Sequence, residues 1–336
     1  MLRLPYLMLA GLLWALTSGA ALSAPELVAN LKTGVIVHAK QAGQRWPPAS
    51  LTKVMTAHLA WQAIKKGRLQ PRSPVVVSKR AARQPAMKMG YKAGTVLTLQ
   101  DAISLLLLRS ANDLAVAVAE TVAGSEQQFV ALMNREAKRI GMHNTRFMNP
   151  HGLHNANQYS TAADLAILAR NILYSHPQSW HTFESRSVKV GKRTYNNINP
   201  LLRTYAGAAG MKTGYTCASG YNLMSLAQRG TDQYVAVVLG AHTKKERLKR
   251  TTTLLDQAFA KKTGSYKSVD VLATSQPASN IEAQVCGRGI KKAKVTVTPT
   301  SKPKREGSVK LAQMVSEPSE TDQDLLMRRV YAGRRF

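Results

Sequence analysis

A serine and a lysine three residues apart, Ser50 and Lys53, are of the right types and spacing to act together. Apolar residues from Leu51 to Ile64 recur with helical spacing, which predicts a helix from Ser50 and places both side chains on one face. A serine becomes a good nucleophile when a base takes its proton, and a lysine amine is that base only when burial or nearby cations lower its pKa. The same spacing recurs at 301–304, where a proline prevents a helix, so spacing alone is not sufficient.

The chain's only S-x-N sequence, Ser110 to Asn112, falls between two predicted helices. A loop there can present both side chains to a cleft. The alternative is that Asn112 caps the following helix, which is a common role for asparagine. Taken alone, this sequence favours the capping interpretation.

The triplet Lys-Thr-Gly occurs three times, and its local context separates the copies. The copy at 32–34 is predicted to form a hairpin turn, and the copy at 262–264 to end a helix. Lys212, Thr213 and Gly214 instead lie in a predicted strand. A cation, a hydroxyl and a position without a side chain then follow one strand edge, where an extended peptide can dock close to the backbone.

In this order, the three motifs resemble the S-x-x-K, S-x-N and K-T-G set of penicillin-binding proteins and β-lactamases. The chain resembles the serine D-alanyl-D-alanine carboxypeptidases, low-molecular-mass penicillin-binding proteins of the penicilloyl serine transferase superfamily that trim bacterial peptidoglycan. The likeness covers about residues 25–264 and includes further matching segments: Pro48–Thr56, Asn149–Leu153 and Gly220–Leu223.

The resemblance implies a role for each matching residue. Ser50 would attack the carbonyl between the last two D-alanines, and Lys53 would be its base. Ser110 would help to relay the leaving-group proton, while Asn112 would hold the substrate amide. The acyl-enzyme would release D-alanine and then be hydrolysed by water.

The resemblance also implies a binding surface along the K-T-G strand. Lys212 would supply positive potential, Thr213 would meet the terminal carboxylate, and the N–H groups of Ser50 and Tyr215 would form an oxyanion hole beside Gly214. Arg247 stands where the family often has a carboxylate-binding arginine. The alternative for Arg247 is a solvated helix residue among neighbouring lysines.

Periodicity predicts an α/β (α+β) fold with strands at both ends of the body and helices between them. This order favours one sheet assembled from N- and C-terminal strands with an inserted helical lobe. The resemblance implies that the sheet is antiparallel and that the fold is β-lactamase/transpeptidase-like. The predicted strands are 26–31, 35–39, 188–190, 211–215, 221–227 and 234–241. One helix is predicted to begin at residue 50. The other predicted helices span 98–108, 113–123, 125–140, 161–173 and 246–261.

The chain has 336 residues and a net charge of +29. Residues 1–24 have the basic start, apolar run and small-residue exit of a secretory signal peptide, so we expect export to the periplasm or cell envelope. Export argues against nucleic acid as a partner. Residues 25–264 form the predicted catalytic domain, and the polar tail 265–336 is expected to be mostly disordered, with membrane contact at most peripheral.

The two cysteines, Cys217 and Cys286, can pair in an oxidising compartment. A bond between them would hold the start of the tail against the body near the cleft.

Several other functions remain as alternatives. A D,D-endopeptidase would use the same site, and a β-lactamase-like hydrolase would share the motifs, although the E-x-x-L-N pattern of class A enzymes is absent. A non-catalytic wall-binding protein would use only the basic surface. We expect no cofactor and no metal, because His143, His151 and His154 lie in a loop without the H-E-x-x-H pattern. The expected partners are peptidoglycan stem peptides, with β-lactams as covalent inhibitors.

Overall fold

The computed structural model describes residues 24–261 and 277–287. The predicted signal peptide, apart from its last residue, and most of the predicted tail lie outside these residues, as does the third Lys-Thr-Gly copy. Within these two ranges, no helix has the length and apolar character needed to cross a membrane.

A five-stranded antiparallel sheet contains strands from both ends of the body, which confirms the predicted fold. Its order is β2-β1-β9-β8-β7. Two small two-stranded antiparallel sheets, β3-β4 and β5-β6, lie outside it. The strands are β1 Glu26–Asn30, β2 Ile36–Lys40, β3 Pro74–Val76, β4 Val96–Thr98, β5 Ser187–Val190, β6 Arg193–Asn196, β7 Ala208–Thr216, β8 Gly220–Arg229 and β9 Asp232–Ala241.

Most of the helices form a lobe between β2 and β7 in the sequence, as predicted. The helices are α1 Thr52–Lys65, α2 Lys79–Ala82, α3 Leu99–Leu108, α4 Asn112–Ala123, α5 Glu126–Arg139, α6 Ala162–Ser175, α7 Ser179–Glu184, α8 Leu201–Thr204, α9 Lys244–Phe259 and α10 Glu282–Cys286.

Local signals fix several of these boundaries. The side chain of Thr98 accepts a hydrogen bond from the backbone N–H of Asp101, which caps the first turn of α3. Between β1 and β2, the side chain of Asn30 accepts hydrogen bonds from Lys32 N–H and Thr33 N–H, and Gly34 has a φ of 71°. The first Lys-Thr-Gly copy is therefore the turn that the sequence predicts.

Both faces of the sheet are covered. On one face, apolar side chains of β1 and β9 pack against Leu254 and Leu255 of α9. On the other face, the sheet and the helical lobe share a larger core that includes Trp46, Met55 and Leu106. Strand β7 ends the strand order, so one of its edges faces the lobe instead of another strand of this sheet. The lobe and this edge bound the candidate site.

Candidate active site

Ser50 lies in one turn of 3-10 helix, Ala49–Leu51, which leads directly into α1. We call residues 49–51 the Ser50 turn. The Nζ of Lys53 lies 3.0 Å from the Oγ of Ser50, and Lys53 is completely buried. Ala49 has a φ of 50°, a left-handed conformation that the surrounding structure must hold in place. The fold therefore imposes the position of Ser50.

The amine of Lys53 has two further acceptors, the Oδ1 of Asn112 at 2.7 Å and the backbone carbonyl of His151. A neutral amine has two N–H bonds and one lone pair, whereas an ammonium group has three N–H bonds and no lone pair. In the neutral form, both hydrogens can go to Asn112 and His151. The lone pair then remains for the hydroxyl of Ser50, which is the arrangement that a base requires.

The electrostatic surroundings favour this neutral form. Burial lowers the pKa of Lys53 well below its ordinary value of 10.5, and the nearby cation of Lys212 lowers it further. The carboxylate of Asp113 opposes this shift. Burial also lowers the pKa of His151 to about 3, so its ring is uncharged at neutral pH.

Ser110 lies in the short connection between α3 and α4, and Asn112 directly follows this connection. Asn112 is the first residue of α4 and does not cap it, so the capping interpretation is wrong. Its side chain instead accepts from Lys53 and donates to the carbonyl of Pro85. Ser110 is buried with a φ of 61°, a second left-handed residue that the fold must hold.

Lys212 lies on β7 and connects this strand to Ser110 on the opposite side of the candidate site. Its Nζ donates to the Oγ of Ser110 at 3.0 Å and to the carbonyl of Thr213 at 2.8 Å. The side chain is buried, and burial together with the charge of Arg247 lowers the pKa of Lys212 to about 7. The site residues therefore form two hydrogen-bonded groups. Lys53 joins Ser50 to Asn112, and Lys212 is bonded to Ser110. The charge of Lys212 is close enough to lower the pKa of Lys53, so the two groups make one cluster.

Gly214 has a structural role that sequence reasoning did not identify. A Cβ atom placed on it would lie 3.1 Å from the carbonyl oxygen of Pro48 and 3.2 Å from the backbone nitrogen of Ser50. The missing side chain thus lets β7 lie directly against the Ser50 turn. Thr213 and Tyr215 flank Gly214; Thr213 is nearly buried, whereas Tyr215 is exposed at the edge of the site.

Arg247 lies on α9 but is only 5% exposed, so the alternative of a solvated helix residue is wrong. One of its terminal nitrogens lies 3.4 Å from the carbonyl of Asn222, and the guanidinium lies 6.0 Å from the centre of the Tyr221 ring. Within the described part of the chain, its Nε has no hydrogen-bond partner. Burial lowers the pKa of Arg247 to about 10. Arg247 and Lys212 therefore place two buried cations near each other.

Sequence reasoning gave no role to two residues that organise the cluster. The carboxylate of Asp113 accepts hydrogen bonds from the N–H groups of Met89 and Gly90, which fixes the loop beside Asn112. His151 contributes its backbone carbonyl to Lys53. The sequence signal for His151 is its place in the segment Asn149–Leu153, one of those on which the family resemblance rests. Asp113 directly follows the S-x-N sequence.

The sheet with its helical lobe is the fold of the penicillin-binding proteins. The structure matches penicillin binding protein 5 from Haemophilus influenzae with a TM-score of 0.68 and 33% identity, over 70% of each chain. It also matches penicillin-binding protein D2 from Listeria monocytogenes in its cefotaxime-bound form, with a TM-score of 0.65 and 29% identity, over 70% of this chain and 96% of that one.

Sequence comparison defines the family. The family model for D-alanyl-D-alanine carboxypeptidases matches residues 17–243, and the chain belongs to this family. D-alanyl-D-alanine carboxypeptidase DacF from Bacillus subtilis (strain 168) is 38% identical over 232 residues, which are 68% of this chain and 60% of DacF. The matched part of the chain spans about 60% of the length of DacF and of D-alanyl-D-alanine carboxypeptidase DacC from Escherichia coli (strain K12).

Proposed function

We propose that this chain is a serine D-alanyl-D-alanine carboxypeptidase that removes the terminal D-alanine of peptidoglycan pentapeptides. The observation that carries the proposal is the buried amine of Lys53, 3.0 Å from the Oγ of Ser50, with acceptors for both hydrogens of its neutral form. The names of the relatives support the same substrate class.

In the proposed reaction, Lys53 takes the proton of Ser50 as the Oγ attacks the carbonyl carbon between the two terminal D-alanines. A C–O bond forms and the C–N bond breaks. The leaving amine receives this proton from Lys53 through Ser110, which is hydrogen-bonded to Lys212, and Lys53 is neutral again. Water then attacks the acyl-enzyme, and the bond to Ser50 breaks to return the free hydroxyl.

Substrate recognition follows from the strand edge and from the two cations. An extended peptide docks along β7 with its amide near Asn112, and the N–H groups of Ser50 and Tyr215 receive the developing oxyanion. The terminal carboxylate binds Thr213 and the positive potential of Lys212 and Arg247. This carboxylate compensates the charges of Lys212 and Arg247, which form no salt bridge with an acidic side chain within residues 24–261 and 277–287.

Reaction with a β-lactam tests the nucleophile and the reaction class together. After incubation with a penicillin, the intact mass is expected to rise by one inhibitor molecule, and peptide mapping is expected to place the adduct on Ser50. The variant Ser50→Ala should remain unmodified with an unchanged thermal unfolding curve. An adduct on another residue, or none on the folded protein, would contradict the proposal.

Product analysis separates the proposed activity from its alternatives. A carboxypeptidase releases D-alanine from a pentapeptide, whereas an endopeptidase cleaves a cross-linked dimer and a β-lactamase turns over penicillin rapidly. A non-catalytic wall-binding protein would bind peptidoglycan equally well as the wild type and as Ser50→Ala, without releasing D-alanine.

The pH dependence of acylation follows from the two lysines. Lys53 must be neutral, so the second-order rate constant for penicillin should rise with pH through the lowered pKa of Lys53. Lys212 must be charged to attract a carboxylate, so the rate constant should fall as pH rises through the pKa of Lys212, which is about 7 in the free protein. Stopped-flow measurement with a fluorescent penicillin from pH 5 to 10 checks both limbs.

The variant Lys212→Arg provides the control for this assignment, because a guanidinium stays charged well above pH 7. Its alkaline limb should move to higher pH. If the limb stays in place in Lys212→Arg, a different group causes it.

We also propose that residues 25–264 are the catalytic domain and that the protein acts in the periplasm or cell envelope. The apolar N-terminal segment supports export. A disulfide between Cys217 and Cys286, the pairing expected from the sequence, supports an oxidising compartment.

A further inference from the structure

Residues 277–287, which we call the strap, cross two segments that flank the candidate site. The side chain of Gln44 donates a buried hydrogen bond to the Oγ of Ser279 at 2.7 Å, and the N–H of Ser279 donates to the carbonyl of Arg45 at 3.3 Å. Further along, the N–H of Ile281 donates to the carbonyl of Ala218 at 3.0 Å. The strap thus joins the segment that leads to Ser50 with the turn that follows β7.

One apolar side chain anchors the strap in the body. Ile281 is 3% exposed and belongs to the same core as Trp46. It packs over Gly220 so closely that a Cβ placed on this glycine would lie 2.7 Å from the Cδ1 of Ile281. The strap is therefore part of the folded body, although the sequence places it far beyond the last strand.

The disulfide attaches the other end of the strap beside Tyr215. Cys286 is bonded to Cys217, and the hydroxyl of Tyr215 lies 3.2 Å from the Sγ of Cys286. The ring of Tyr215 also stacks on Tyr221 with 4.3 Å between ring centres. Tyr215 is 43% exposed, and these two contacts hold it at the mouth of the site.

The end of β7 and the Ser50 turn are in direct contact, so their positions depend on each other. A Cβ placed on Gly214 would lie only 3.1–3.3 Å from atoms of residues 48–50, which is closer than ordinary van der Waals contact. Under the proposed function, the N–H groups of Ser50 and Tyr215 must converge on one oxygen atom, and small displacements of such donors are costly to the rate. A bridge between the two segments that carry these donors fixes the position of one donor relative to the other.

We propose that the strap is a positioning element of the active site: through Cys286 and Ile281 it holds Tyr215 and the end of β7 against the Ser50 turn. The strap does not contact the reacting atoms. Its release should slow acylation while the body stays folded. This inference rests on the proposed function.

Reversible opening of the disulfide in the full-length protein tests the proposal. A dithiol reductant exchanges with Cys217–Cys286 to give two protein thiols and the oxidised reductant, and Cys286 is exposed enough to react. We expect the second-order rate constant for a fluorescent penicillin to fall about tenfold or more on reduction and to recover on reoxidation. For D-alanine release by the reduced protein, the factor by which kcat falls should exceed the factor by which KM changes.

Matched variants separate positioning from general stability. Cys217→Ser with Cys286→Ser should be slow and insensitive to the reductant, and Ile281→Ala should be slow with its disulfide intact. Gln284→Ala changes an exposed side chain of the strap and should behave as wild type. Thermal unfolding of each variant establishes that it is folded at the assay temperature.

The outcomes are distinct. Unchanged acylation in the reduced protein with both thiols free, or in folded Ile281→Ala, would overturn the positioning role. A loss of rate that only follows the unfolded fraction would overturn it as well. Failure of the oxidised wild type to acylate would instead overturn the proposed function, and this inference with it. If the cysteine variant does not fold, Ile281→Ala alone decides the question.

Discussion

Replacement of Lys53 by methionine is expected to lower the second-order rate constant for penicillin acylation of Ser50 by about 10³-fold, a typical loss when a positioned base is removed. Methionine nearly preserves the buried volume but cannot take the serine proton. It also leaves the Oδ1 of Asn112 and the carbonyl of His151 without their donor, so a lower free energy of unfolding should accompany the loss. Stopped-flow acylation and urea unfolding measure the two effects separately.

Two further variants assign this loss to proton transfer. Lys53→Arg keeps the positive charge, but a guanidinium does not give up its proton in proteins, so this variant should be as slow as Lys53→Met. Lys66→Met makes the same chemical change at an exposed position just beyond α1 and should acylate at the wild-type rate. Near-normal acylation by folded Lys53→Met would mean that another group is the base.

Gly152→Ala is expected to cause the other large effect, a combined loss of stability and activity. Gly152 has a φ of 87°, and a Cβ placed on it would lie 1.9 Å from the carbonyl oxygen of Ala49. This contact is with backbone, so the Ser50 turn must shift to admit the methyl group. We expect the free energy of unfolding to fall by about 3 kcal/mol or more, and the acylation rate constant to fall by about 10²-fold through misplacement of Ser50.

Gly67→Ala is the matched control because it measures only the free-energy cost of placing alanine in a left-handed backbone conformation. Gly67 has a similar φ of 69°, but a Cβ placed on it would point into open space, with no contact within 4 Å. Its substitution should cost roughly 1–2 kcal/mol through backbone strain alone and leave acylation unchanged. Equal effects on stability in the two alanine variants would show that the contact with Ala49 is relieved elsewhere.

Local chemistry made part of this molecule predictable. The i, i+3 spacing that pairs Ser50 with Lys53 is a property of one helical turn, and the cap at Thr98 depends on residues three positions apart. Alternation and turn residues likewise located the strands that pair in the sheet. The motif resemblance supplied what spacing could not, namely that residues from α1, the loop before α4 and strand β7 converge.

Tertiary contacts determine the residue roles that the sequence left open or predicted wrongly. Asparagine is a residue type that often caps helices, but the side chain of Asn112 accepts a hydrogen bond from the buried amine of Lys53 instead. Arg247 lies among lysines, and only the packing of α9 on the sheet buries it. The docking of Ile281 depends on a contact with Gly220 that no local pattern encodes.

The low pKa of Lys212 links ligand binding to proton uptake. In the free protein, burial and the charge of Arg247 bring this pKa to about 7, so part of the population lacks the proton at neutral pH. An anionic ligand beside Lys212 favours the ammonium form and raises the pKa. Complex formation with a carboxylate therefore draws hydrogen ions from solution near pH 7 to 8, and the apparent binding enthalpy depends on the ionisation heat of the buffer.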